Sequence, residues 1–145
     1  MLKIHIKNKQ YRTFLKYAMT TCDTFSLVYE KDNINNKNYI LQEFYFSILE
    51  YMLLKRKIVK HPDTGTIFCN SDIIYYECNK FTCDILQIAD GIFDWNGNNL
   101  PEELCFYRNN KKWFTCICHE NLLFISDENN DDIKFLEQNH INFYY

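Results

Sequence analysis

The chain has 145 residues, 47% of them hydrophobic and 17% aromatic, with 3 Gly, 2 Pro and a net charge of -3. A chain of that length suits one domain, and its composition excludes intrinsic disorder, which needs low hydrophobicity and high net charge. Nothing approaches the roughly 18 consecutive apolar residues of a membrane-spanning helix.

Leu2, Ile4 and Ile6 alternate with Lys3, His5 and Lys7, the pattern of a half-buried strand. This alternation is not the continuous apolar stretch of a secretory signal, so a cytoplasmic location is expected. Tyr11, Phe14, Leu15, Ala18 and Cys22 recur at helical spacing, which predicts an amphipathic helix over 9–21. Residues 24–30 alternate again as a second strand, and the Asn-rich segment 31–38 reads as a loop. Next comes a long central helix over 39–58, with a stripe of Leu41, Phe44, Tyr45, Ile48, Leu49, Met52 and Leu53. Asn38 would cap it, and Lys55, Arg56 and Lys57 would complement the negative end of its dipole.

His61-Pro62-Asp63-Thr64-Gly65 is a turn, followed by strand-like runs at 66–69 and 72–77. Asn79 opens a helix that Gly91 would close, with Cys78 and Cys83 as the two halves of a hydrophobic staple. Residues 103–108 and 111–119 flank Asn109-Asn110, a pair that tolerates the positive φ of a two-residue hairpin. In that hairpin Phe106 would face Trp113, Leu104 would face Thr115 and Cys105 would face Phe114. Apolar residues on both faces predict a sheet covered on both sides. Residues 122–126 add a third strand, Asn130, Asp131 and Asp132 start a last helix, and 141–145 can end the chain as a strand. The fold class is therefore α+β: a single domain over 1–145, mainly antiparallel, with a C-terminal hairpin or meander and three to four helices.

Seven cysteines, an odd number, do not make a disulfide framework in a chain without an export signal. Cys116 and Cys118 are separated by one residue, not the two of a zinc knuckle, and His119-Glu120 is followed by Leu123 where a zinc-protease motif needs His. Cys83, early in its helix, is the best candidate nucleophile, but no Gly-rich elbow surrounds any cysteine. Gly91 and Gly97 lack the Lys-Ser/Thr ending of a phosphate loop, and Asp90 with Asp94 is not an EF-hand. No catalytic residue, metal or cofactor is assigned.

Charge is split along the chain. Residues 1–71 carry 11 basic and 6 acidic residues, whereas residues 72–145 carry 5 basic and 13 acidic. Such an acidic half can form a surface for a basic partner. The candidate partner-binding residues are Asp127, Glu128, Asp131 and Asp132, with Trp95 as an aromatic anchor and His119 and Glu120 at the end of the hairpin. A nucleic-acid or membrane partner is not expected.

Residues 93–120 contain Asp94-Trp95, Leu100-Pro101-Glu102-Glu103-Leu104-Cys105-Phe106, Trp113-Phe114 and His119-Glu120. This box resembles one in small immunity-type proteins of bacterial polymorphic-toxin loci. The resemblance covers about 28 residues and carries no functional residues over. It implies a non-enzymatic protein that binds and neutralises a cognate toxin; the acidic half would suit a basic toxin domain. Competing expectations are a small-molecule or nucleotide-binding domain, enzymatic or not, with an aromatic-lined pocket, and a homodimeric accessory protein.

Overall fold

A computed structural model describes residues 1–32 and 38–145. In chain order the elements are β1 (Leu2–His5), α1 (Tyr11–Thr21), β2 (Thr24–Glu30), α2 (Tyr39–Ile48), β3 (Met52–Lys60) and β4 (Ile67–Glu77). They continue as α3 (Lys80–Leu86), β5 (Glu102–Arg108), β6 (Lys111–Ile117), β7 (Leu122–Ile125), α4 (Asn130–Gln138) and β8 (Asn142–Tyr144). Strands β1 to β8 form one antiparallel sheet in the order β3-β4-β2-β5-β6-β7-β1-β8. The loop expected over 31–38 falls mostly on residues outside those described.

The helices α1 to α4 pack on one face of the sheet. Phe14 and Leu15 of α1, Phe44 and Ile48 of α2, Leu86 of α3 and Leu136 of α4 share a core with Ile4, Phe25, Leu104, Phe106 and Phe114 of the strands. Fully burying each such side chain contributes about 1.5–3 kcal/mol, so this face supplies most of the driving force. Helix starts follow local chemistry: the side chains of Asn38, Asn79 and Asn129 accept backbone N–H groups of α2, α3 and α4.

The long central helix does not form. Its first half is α2, a short 3-10 turn spans Leu49–Tyr51, and the rest is strand β3. The inward stripe ends at Ile48; Met52 and Leu53 are exposed, and Lys55, Arg56 and Lys57 sit in an edge strand rather than at a helix end. Pairing with β4 overrides the helical pattern, and every β3 residue is exposed or half-buried, so no alternation marks it in the sequence. The two runs expected at 66–69 and 72–77 are one strand, β4, bent where Asn70 takes a φ of 46°.

Asn109 and Asn110 make the expected turn, with φ of 53° and 63°. Its register differs beyond the first pairs. Tyr107 pairs with Lys112, but Phe106 pairs with Phe114 and Cys105 with Thr115, which leaves Trp113 as the extra residue of a bulge. Consecutive Trp113 and Phe114 thereby both meet Phe14 on the helix side, at 6.0 and 4.8 Å between ring centroids. The bulge also separates Cys116, in the helix-side core, from Cys105 on the other face.

Gly91 does not close α3 in a left-handed conformation; it is extended, and a Cβ there would sit 2.1 Å from Asn8 Oδ1. The staple cysteines share one core, with Cys83 buried and Cys78 packed against it.

Over β5 the second face of the sheet is covered by the β3–β4 connection, residues 61–66, which folds across it as a strap, whereas Lys3 and His5 of β1 on that face are exposed. Tyr107 donates to Asp63 Oδ2 at 2.6 Å, and Tyr107 and Ser26 share a hydrogen bond of 3.0 Å. Cys105 and Ser26 are sealed beneath it, and His61, its first residue, is buried against them.

Candidate functional site

At one end of the strap lies a cleft of about 590 Å³, lined among others by Glu30, Thr66, Phe68, Glu102, His119 and Glu120. Its floor is made by a bulge in β5. Ser26 pairs with Cys105 but Val28 with Glu102, so β5 carries an extra residue there. Glu103 occupies that position with a φ of 54° and is 1% exposed. The left-handed conformation costs a side-chain-bearing residue about 1–2 kcal/mol. It turns the carboxylate toward the strap, where Thr64 Oγ1 donates at 2.5 Å and Thr66 Oγ1 at 2.6 Å. Each such bond to a charged group contributes about 1.5–3 kcal/mol and offsets that cost.

His119 stands above, in the 3-10 turn Cys118–Glu120, with Nδ1 3.6 Å from Glu103 and Nε2 3.6 Å from Glu120. Both His119 and Glu120 are more than half exposed. Burial raises the Glu103 carboxyl above its usual range, although the threonine hydroxyls and His119 pull it back. Glu102 is raised further, to about 7, first by burial and then by the neighbouring charges of Glu30 and Glu103. Gly97, with a φ of 87°, lies so close that a Cβ would sit 2.2 Å from Glu102 Oε1. The cleft is thus a crowd of carboxylates beside one half-exposed imidazole, and a cation placed among them would relieve their mutual repulsion.

The residues singled out by the sequence do not form one patch. His119 and Glu120 line the cleft, but Asp127, Glu128 and Asp131 lie beyond the other end of β7, a strand about 13 Å long at 3.3 Å per residue. There Glu128 lies 3.9 Å from the N-terminal ammonium. Trp95 is 0% exposed, stacks edge-on with Phe44 and donates to the Tyr11 hydroxyl; it is a core residue, not a surface anchor.

Asp132 is also 0% exposed and is not part of an acidic surface. It accepts from both terminal nitrogens of Arg108 at 3.0 and 2.9 Å, from Tyr17 at 2.7 Å, from Trp113 Nε1 at 3.1 Å and from the Asn129 backbone at 3.0 Å. Burial alone would raise its carboxyl, but the hydrogen bonds from Arg108, Tyr17, Asn129 and Trp113 hold it below the usual range.

One arrangement resembles a cysteine–histidine dyad: Cys105 Sγ lies 3.9 Å from His61 Nε2. Its hydrogen bonds oppose that use. His61 Nδ1 accepts from the backbone N–H of Asp63 and of Thr64, at 3.0 and 3.2 Å, so the neutral ring carries its proton on Nε2 and faces the thiol as a donor. Burial lowers His61 to about 4 and raises the Cys105 thiol, which leaves both neutral.

The thiols of Cys116 and Cys118 adjoin each other, and Cys118 donates to the Phe93 carbonyl at 3.3 Å. The hydrogen bond between them raises Cys116 and lowers Cys118. Burial raises the Cys83 thiol, the opposite of an activated nucleophile. Among the described residues no group of three or more His, Cys, Asp or Glu side chains is placed to hold a metal ion. No helix of the described residues is long and apolar enough to cross a membrane.

Glu102, Glu103, Thr64 and Thr66 escaped the sequence reading because their role depends on a bulge and a strap. The adjacency of Glu102 and Glu103 after Pro101 was the available signal. The chain matches no protein-family model, no curated protein and no solved structure.

Proposed function

We propose that this chain is a non-enzymatic protein-binding module of the immunity type, which masks a basic surface of a cognate toxin. The observation that carries the reading is the cleft lined by Glu30, Glu102 and Glu120, with Glu102 raised to about 7 first by burial and then by the charges of Glu30 and Glu103. A lysine or arginine side chain of the partner would enter between Glu102 and Glu120 and replace repulsion by charge-assisted hydrogen bonds. The exposed Asp127 and Asp131, with the half-buried Glu128 beside them, would act at longer range and speed the encounter. His61, Cys105 and Asp132 have no part in the contact, because each is sealed and already satisfied.

The test is co-purification with the product of the adjacent gene, followed by titration of the two pure proteins. A stable complex that weakens at least about tenfold in a Glu102→Gln, Glu120→Gln double variant supports the reading. No complex at micromolar concentration, with no protection of cells that produce the toxin, overturns it.

A second reading is favoured by the same group: a carboxyl near 7, Glu102, in a cleft that His119 also lines is suited to general acid–base work on a small ligand. The aromatic-lined pocket expected for that reading has little support, since Phe68 is the one aromatic residue that lines the cleft among those described. A saturable small ligand that competes with the protein partner would decide for it.

A further inference from the structure

The far edge of the sheet has the opposite charge. Among the described residues strand β3 is the terminal strand and pairs only with β4, so its other edge offers backbone N–H and C=O groups to a further strand. The ladder is irregular at Leu53 and again beyond Ile58, which leaves Leu54–Ile58 as a regular stretch. Lys55, Arg56 and Lys57 occupy its centre. Lys55 is shared with Asp72 at 3.7 Å and lies over the Tyr45 ring, whereas Arg56 and Lys57 have no ion pair among the described residues. Around this basic centre Leu53, Leu54 and Val59 are 57%, 42% and 72% exposed.

Lysines on an edge strand ordinarily prevent sheets from joining. That accounts for one occupant: a second copy paired antiparallel about Arg56 would set Arg56 against Arg56 and Lys55 against Lys57, and directly opposed like charges are destabilising. The same row attracts a strand of opposite charge. Because Arg56 pairs across from Ile73 on the strap face while Lys55 and Lys57 pair across from Ile74 and Asp72 on the helix face, the complement must present acids on both of its faces. It therefore needs consecutive acids, with an apolar residue at either end to meet Leu54 and Ile58.

We propose that the β3 edge is a docking site for an extended acidic segment of a partner protein, which adds to the sheet as a further antiparallel strand. The surface is separate from the carboxylate cleft and does not depend on the role proposed for it. Main-chain hydrogen bonds supply affinity, and Lys55, Arg56 and Lys57 select the sequence.

The probe is a synthetic peptide, Thr-Thr-Val-Glu-Glu-Glu-Val-Thr-Thr, labelled for fluorescence anisotropy and titrated with the full chain. The expected result is saturable binding that weakens about tenfold when alternate peptide amides are N-methylated, because methylation removes donors without removing charge. A Lys55→Glu, Arg56→Glu, Lys57→Glu variant, its fold checked by circular dichroism, should lose this peptide and bind the one with Lys in place of Glu. Conversion of those residues to Thr should raise self-association in sedimentation. The proposal is overturned by equal binding of the methylated peptide, by a single-stranded oligonucleotide of similar charge that binds as tightly, or by no saturation up to about 1 mM.

Discussion

Asp132 and Glu103 are both carboxylates with almost no exposed surface, and the chain treats them in opposite ways. Asp132 lies on the helix side, where Arg108 supplies a full charge in a two-pronged contact and Tyr17, Trp113 and Asn129 fill the remaining acceptor positions. Glu103 lies on the strap side, where it receives two hydroxyls and a half-exposed imidazole while Glu102 and Glu120 stand beside it. Burial pushes both carboxyls upward; donors of adequate number and charge reverse the push for Asp132 and fail to do so for Glu103. A buried acid with a complete set of donors is architecture; the crowd of acids around Glu103 keeps the repulsion on which the proposed contact rests.

That contrast can be broken at several points. The largest effect is expected at Asp132, where Asp132→Ala leaves Arg108 without its partner and should cost about 3–5 kcal/mol in urea unfolding. A loss under about 1 kcal/mol would remove the distinction between the two regions. Because the Asp132 carboxyl is held down in the fold, its contribution is complete above its unfolded value and is lost as pH falls through the lower folded one. Stability of the native chain should therefore drop in acid more steeply than that of Asp132→Asn.

Next in size is Thr66→Val, which removes one of the two hydroxyls from Glu103 and should cost about 1.5–3 kcal/mol, most of it above the pH at which Glu103 ionises. Glu102→Gln should act in the other direction. A raised carboxyl prefers its proton in the fold, so stability declines as pH rises from the unfolded value toward about 7. The amide should stabilise the chain by about 1 kcal/mol at pH 8, after allowance for solvent, and have little effect at pH 4; this is read by thermal melting at the two pH values. An unchanged melting temperature at pH 8 would show that the cleft carries no strain. Glu120→Gln should give the smallest change, within about 0.5 kcal/mol, and should act instead on the rate of partner association.

Much of this architecture was legible. The alternation of 2–6 and 24–30, the stripe of 9–21 and the Asn109-Asn110 turn each depend on neighbours within a few residues, and all appear close to where they were expected. Strand β3 was not legible, because a strand that buries neither face leaves no period of two, and Met52 and Leu53 happened to extend the helical stripe. The hairpin register was missed for a related reason: two large rings, Trp113 and Phe114, both needed the helix side, and a bulge was the way to place them there. The candidate site was legible only at His119-Glu120. Asp132 and Trp95 look like surface residues until Arg108 and Tyr11, both remote in sequence, are brought against them.

The strap has a mechanical consequence. Its two ends belong to β3 and β4, at the margin of the sheet, yet Asp63, Thr64 and Thr66 are fastened to Tyr107 and Glu103 of β5, on the far side of β2. The hairpin is therefore fastened to β5 at its closed end, whereas β3, among the described strands, is held along its length by the β4 ladder alone. β3 cannot peel away from the turn inward; it opens from Met52 toward His61, with the pins the last to release. Amide exchange should follow that gradient, fastest at the open end of β3 and slowest at the N–H of His61, which is bonded to the Thr66 carbonyl beneath the pins.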